Sequence, residues 1–172
     1  SLLCARRVEA RTPGSQDPLE AVEQIRDASI ALRQLRNDWD TYAVIDAEGR
    51  AGNIDAARKV LGGVAPQRGE AAIAVAKATP LYRLDGAFAA LRKAALAADD
   101  ESWPASLDVE AFDTLGDEIT FDLQKADNDF YSVVFASKGT TQIAKIYSEA
   151  QACVDRSILN LDAMLAMLKR IK

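Results

Sequence analysis

The chain has 172 residues, of which 49% are hydrophobic and 27% charged, enough to build one domain around a single core without disulfides or a structural metal. Twenty-one Lys and Arg against 26 Asp and Glu give a net charge of -5, the wrong sign for a general nucleic-acid binder. There is no histidine, which excludes Ser–His and Cys–His nucleophile pairs, Glu-x-x-His di-iron bundle sites and His-ligated zinc.

Residues 1–16 carry no sustained periodicity and read as an N-terminal arm, closed by the turn signal Thr12-Pro13-Gly14. The arm bears Arg6, Arg7 and Arg11 but lacks the apolar stretch of a secretory signal, so it suits the remnant of a processed precursor. Its basic character fits either a segment that orders on an acidic partner or an unstructured terminus. Asp17-Pro18 opens the first helix, because Asp accepts from free first-turn N–H groups and Pro loses nothing at the first helical position. Val22, Ile25, Ala28, Ser29, Leu32, Leu35, Trp39 and Tyr42 form its apolar stripe, and Gly49 marks its expected end.

Asn53 caps a shorter helix through Leu61, stopped by Gly62-Gly63. Glu70 to Ala78 is Ala-rich and helical in character, and Thr79-Pro80 interrupts it. A further helix is expected from Leu81 to Ala95, so these pieces make one broken second helix. Asp99 to Pro104 is a loop. A third helix follows from near Asp108 through Phe112, Ile119, Leu123, Ala126, Phe130 and Val133 to Ser137-Lys138-Gly139. The fourth opens at Thr140 or Thr141 and carries Ile143, Ile146, Ala150, Cys153, Ser157 or Ile158, Leu161, Met164 and Leu168. Four stripes joined by short links predict an all-α, up-down-up-down four-helix bundle over residues 17–172. No run of about 20 apolar residues exists to span a membrane.

Few residues point to chemistry. Cys4 and Cys153 either stay free or pair if the arm folds back on the last helix. Ala94 to Gln124 holds nine acids, from Asp99 to Asp122, and no Lys or Arg. It suits either a cation site, with Asp113 and Asp117 at i,i+4, or a solvated helix face. Trp39, Phe88, Phe112 and Phe130 fall on helical stripes and are expected in the core. Trp103 sits in the acidic loop, where it either caps the bundle end or anchors a partner. Gly62-Gly63 ends a helix instead of leading from a strand into one, so no phosphate loop is present. The chain is therefore expected to be no enzyme.

Three stretches in order carry a family resemblance. They are Asn37-Asp38-Trp39 with Tyr42; Asp55-Ala56-Ala57-Arg58-Lys59-Val60-Leu61-Gly62 followed by Thr79-Pro80-Leu81-Tyr82-Arg83-Leu84; and Leu123-Gln124-Lys125-Ala126-Asp127 followed by Asp129-Phe130-Tyr131-Ser132. Together these resemble the PsbQ-like family of extrinsic, lumen-side photosystem II subunits, particularly its diverged algal members, across about residues 17–171. Trp39, Leu61, Gly62, Pro80, Leu81, Tyr82, Ala126, Asp127, Tyr131 and Ser132 carry the motifs and are read as holding the fold and shaping a docking surface. The resemblance implies a non-catalytic protein without a cofactor, peripheral to the thylakoid membrane in the chloroplast lumen and not inserted in it. It would dock to intrinsic and other extrinsic photosystem II subunits, stabilising the oxygen-evolving centre and its calcium and chloride retention. Arg6, Arg7, Arg11 and Trp103 are the docking candidates. The link Gly63 to Ala78 is longer than is usual in that family. The alternative function is a ligand- or signal-binding helical-bundle adaptor, although only Ser29 and Ser157 interrupt the stripes with polar groups.

Overall fold

The computed structural model describes residues 13–63, 69–99, 102–136 and 140–169, and those residues form helices with no strand among them. In chain order the helices are α1 (Pro18–Asn37), α2 (Trp39–Tyr42), α3 (Ile54–Leu61), α4 (Glu70–Ala78), α5 (Leu84–Ala97), α6 (Val109–Ser132) and α7 (Thr140–Lys169); a 3-10 turn, Val133–Phe135, follows α6. No described helix is long and apolar enough to cross a membrane.

Side-chain caps set three of the helix starts. The Asp17 carboxylate accepts from the N–H groups of Leu19 and Glu20, with Pro18 in the first turn. Asn53 accepts from Asp55, and Asp108 accepts from Ala111. Each cap pairs a donor that the helix itself leaves free.

Around the bundle, α1 packs on α5, α5 on α6, α6 on α7, and α7 back on α1. Cross-helix pairs fix the directions. Arg33 meets Asp162 and Arg36 meets Asp155, so α1 and α7 are antiparallel. Glu118 with Asn160, Asp122 with Arg156, and Lys125 with Glu149 make α6 and α7 antiparallel as well. Arg92 beside Asp113, and the Phe88 ring against Gly116, run α5 against α6. This is an up-down-up-down arrangement. Its core holds Ile25, Leu32, Leu35, Leu91, Phe112, Ile119, Phe130, Ile143, Leu161 and Met164, all buried. Trp39, Phe130 and Tyr147 form an edge-packed aromatic cluster with successive centroids 5.5 Å apart, and Phe88 meets Phe112 at 6.2 Å. All four stripe aromatics expected in the core are there.

Four boundaries differ from expectation. The first helix stops at Asn37, twelve residues before Gly49, and Trp39–Tyr42 adds a single turn. The next residues make a tight turn instead: the Gly52 N–H donates to the Val44 carbonyl at 2.9 Å, and the Asp46 carboxylate accepts from the Glu48 and Arg50 N–H groups. Asp46 offers the backbone an alternative to helical bonds, and that alternative wins once Asp38 has ended α1. α5 begins at Leu84, not Leu81, because the carbonyls of Pro80 and Tyr82 are taken by the Gln24 side chain at 2.9 and 3.1 Å. α6 gives way to the 3-10 turn at Val133, before Ser137-Lys138-Gly139, which lies outside the described residues. The arm is shorter than 1–16: Pro13 is buried, and the Gly14 N–H donates to Gln24 Oε1 at 2.9 Å.

The broken second helix takes a definite form. α3 lies along the C-terminal half of α6 through Arg58 and Asp127, and α5 lies along the N-terminal half. Together they supply the second arm of the bundle. Between them the chain leaves at Gly62 and returns at Tyr82, and α4 occupies that excursion with none of its described side chains buried.

Candidate functional site

The junction between α3 and α5 is where the residues singled out in the sequence converge. Leu61, Gly62, Leu81, Tyr82 and Asp127 all line a cleft of 410 Å³, with Phe88 and Leu123 at its apolar wall. Gly62 sits at φ +82°, the left-handed geometry that ends α3, and a Cβ there would stand 2.9 Å from the Tyr82 Cα. Glycine is therefore required twice, for its dihedral and for the close approach of two backbones. At Gly63 a Cβ would fall 1.9 Å from Asp127 Oδ1, so the carboxylate occupies the space a side chain would need.

Asp127 is held in place. Arg58 Nε and Nη2 donate to its two oxygens at 3.0 and 3.2 Å, with both side chains largely buried. A two-pronged pair of this kind is stronger and more directional than an exposed ion pair. The same guanidinium lies 4.9 Å from the Tyr131 ring centroid, and Tyr131 meets Phe135 at 5.3 Å. Asp127, Arg58, Tyr131 and Phe135 thus form a ladder running from the cleft outward. Its outer end is exposed: Phe135 is 74% and Val134 57% accessible. The Arg58–Asp127 pair fixes the shape of the ladder.

The remaining motif residues support this junction from behind. Trp39 meets Phe130 edge-on inside the core, and Ala126 is fully buried between helices. Pro80 turns the chain and gives its carbonyl to Gln24. The Ser132 hydroxyl donates to the Asp129 carbonyl and closes the end of α6.

Elsewhere three acids of the acidic stretch meet partners on other helices. Arg156 Nε and Nη2 donate to the buried Asp122 at 3.0 and 2.6 Å, Arg92 reaches Asp113 at 3.6 Å, and Asn160 donates to Glu118. Among the described residues no group of three or more acids or cysteines could hold a metal ion. Cys153 is a free, buried thiol that accepts a hydrogen bond from Arg156 at 3.2 Å. Burial, and then the neighbouring Asp122 carboxylate, push its pKa up, which makes it a poor nucleophile. Trp103 is half-buried and packs against the core. Arg6, Arg7, Arg11 and Cys4 lie outside the described residues.

Four residues important here were not singled out as site residues: Gln24, Arg58, Gly63 and Asp122. Gln24 lies beside Ile25 and between Ala21 and Ala28, on the buried side of α1, and that position was a readable signal. Arg58 and Gly63 gave none, since their partner Asp127 lies more than sixty residues away. No protein-family model, curated protein or solved structure matches the chain.

Proposed function

We propose that this protein is a non-catalytic docking subunit, an extrinsic protein of the PsbQ-like kind that binds the lumenal face of photosystem II. There it stabilises the oxygen-evolving centre and its retention of calcium and chloride. The observation that supports this reading is convergence. Motif residues from α3, the Pro80–Tyr82 turn and α6 meet at one cleft, and a ladder of side chains leads from it to exposed Tyr131, Val134 and Phe135. A contiguous exposed apolar group beside a rigid junction is what a docking protein offers a partner. Its partners on this reading are intrinsic and other extrinsic subunits, reached through that face, the arm with Arg6, Arg7 and Arg11, and the loop with Trp103.

The test is reconstitution. Photosynthetic membranes washed with high salt should lose this chain together with oxygen evolution at low calcium and chloride, and adding the purified chain back should restore it. Removal of residues 1–12, which spares the Gly14–Gln24 bond, should weaken rebinding while leaving helicity unchanged. A purified chain that neither rebinds nor restores activity contradicts the proposal.

A further inference from the structure

A second concavity is lined by residues of α1, α3 and α4. Ala31 and Leu35 of α1, Val60 of α3, and Val75, Ala78 and Pro80 on the excursion line a hollow of 340 Å³. That volume falls within the range of small-molecule sites, which are mostly apolar with a few placed polar groups. The hollow exists because Thr79 donates its hydroxyl to the Val60 carbonyl and accepts from the Leu81 N–H. This anchors the return of the chain while α4 arches away from the bundle.

Among the described residues, the one charged side chain in its lining is a cation; Gln34, Tyr42 and Thr79 are neutral. Lys59 lines the mouth, and no acidic side chain lines the hollow with it. Among the described residues no ion pair engages the Lys59 ammonium, whereas Arg58 next to it is fully committed to Asp127. Tyr42 adds an aromatic wall with a hydroxyl at its edge. Gln34 also lines the hollow, and its amide donates to Asp38 beyond the lining.

We propose that this hollow binds a single-chain amphiphile with an anionic head. The hydrocarbon lies against Leu35, Val60, Val75 and Pro80, and the carboxylate lies on Lys59. Apolar burial supplies the attraction in proportion to the chain covered, and the unpaired ammonium selects the head. The site is independent of the docking face at Tyr131 and Phe135, so it does not rest on the photosystem reading.

Calorimetric titration of the full chain with decanoate, decanol and decyltrimethylammonium, each below its micelle concentration, tests this. One decanoate per chain is expected, at least about tenfold tighter than decanol, since a charge-assisted hydrogen bond contributes that much. Lys59→Met keeps the aliphatic stem and should remove the preference for decanoate while leaving decanol binding in place. Ala78→Trp, at an exposed position on α4, should fill the hollow and abolish binding of all three with the melting temperature preserved. Equal binding of decanoate and decanol, no effect of Lys59→Met, retained binding in Ala78→Trp, or no binding by any amphiphile would each overturn the proposal.

Discussion

The two arms that flank α6 are built in opposite ways. On one side α7 runs unbroken from Thr140 to Lys169 and meets α6 along its length through charged pairs and the Phe130–Tyr147 contact. On the other side α3 and α5 share the same task, separated by an excursion and joined by a glycine whose missing Cβ lets two backbones touch. A continuous helix needs only a periodic stripe and two ends, whereas a split one needs specific close contacts at the seam. Those contacts leave a cleft and a hollow on the α3 side, and that is where the candidate binding features of this protein lie.

The largest expected loss tests the continuous side. Phe130→Ala removes a fully buried ring that touches both Trp39 and Tyr147, and should cost about 3–5 kcal/mol in urea unfolding. A loss below 1 kcal/mol would mean the aromatic cluster does not tie α2 to α6 and α7. Next comes the Asp122–Arg156 pair, where the two partners differ in burial. The Asp122 side chain is 6% accessible and that of Arg156 54%. Arg156→Leu strands a buried carboxylate and should cost roughly 3 kcal/mol or more. Asp122→Asn leaves an arginine that water can reach and should cost clearly less; equal losses would contradict the asymmetry.

The seam is tested by Gly62→Ala. The new Cβ meets a positive φ and the Tyr82 backbone together, so unfolding free energy should fall by more than about 1 kcal/mol. A neutral result would mean α5 can slide away from α3 without penalty. Replacing residues 65–77 by a short Gly/Ser linker makes the opposite prediction. It removes α4 and keeps Thr79, Pro80 and Leu81, so the melting transition should move little while the amphiphile hollow is lost. A large drop in stability would show that the excursion carries part of the core.

The smallest effect is a pH dependence at Cys153. Its folded pKa is raised by burial, so between the unfolded value, about 8.5, and the higher folded one the unfolded state alone releases a proton. Stability from this group is therefore complete below that window and declines as pH rises through it. Comparing Cys4→Ser with Cys4→Ser/Cys153→Ala from pH 7 to 10 isolates the slope. A thiol reagent should label Cys153 only on unfolding.

Much of the fold was legible because it depends on local signals. Asp17-Pro18, Asn53 and Asp108 mark helix starts through their own hydrogen bonds, and Leu61-Gly62 marks an end through its dihedral. Boundaries moved where a side chain took backbone atoms. The distant Gln24 claims the carbonyls of Pro80 and Tyr82 and delays α5 by three residues, and the local turn at Asp46 diverts the chain after α2. At the candidate site, the motif residues could be named from their order along the chain. That Asp127 faces Gly63 and is neutralised by Arg58 could not, because nothing in local spacing encodes it.

The sequence by itself determined that this chain is helical, where its main caps lie, which aromatics enter the core, and that histidine-based chemistry is absent. These follow from periodicity, hydrogen-bonding side chains and composition, all of which act over a few residues. Tertiary structure alone decided that α3 and α5 align along α6, that Asp113 and Asp122 meet Arg92 and Arg156, and that Lys59 lines an apolar hollow. Each of those depends on which surfaces meet once the stripes are buried, and burial is a property of the whole chain.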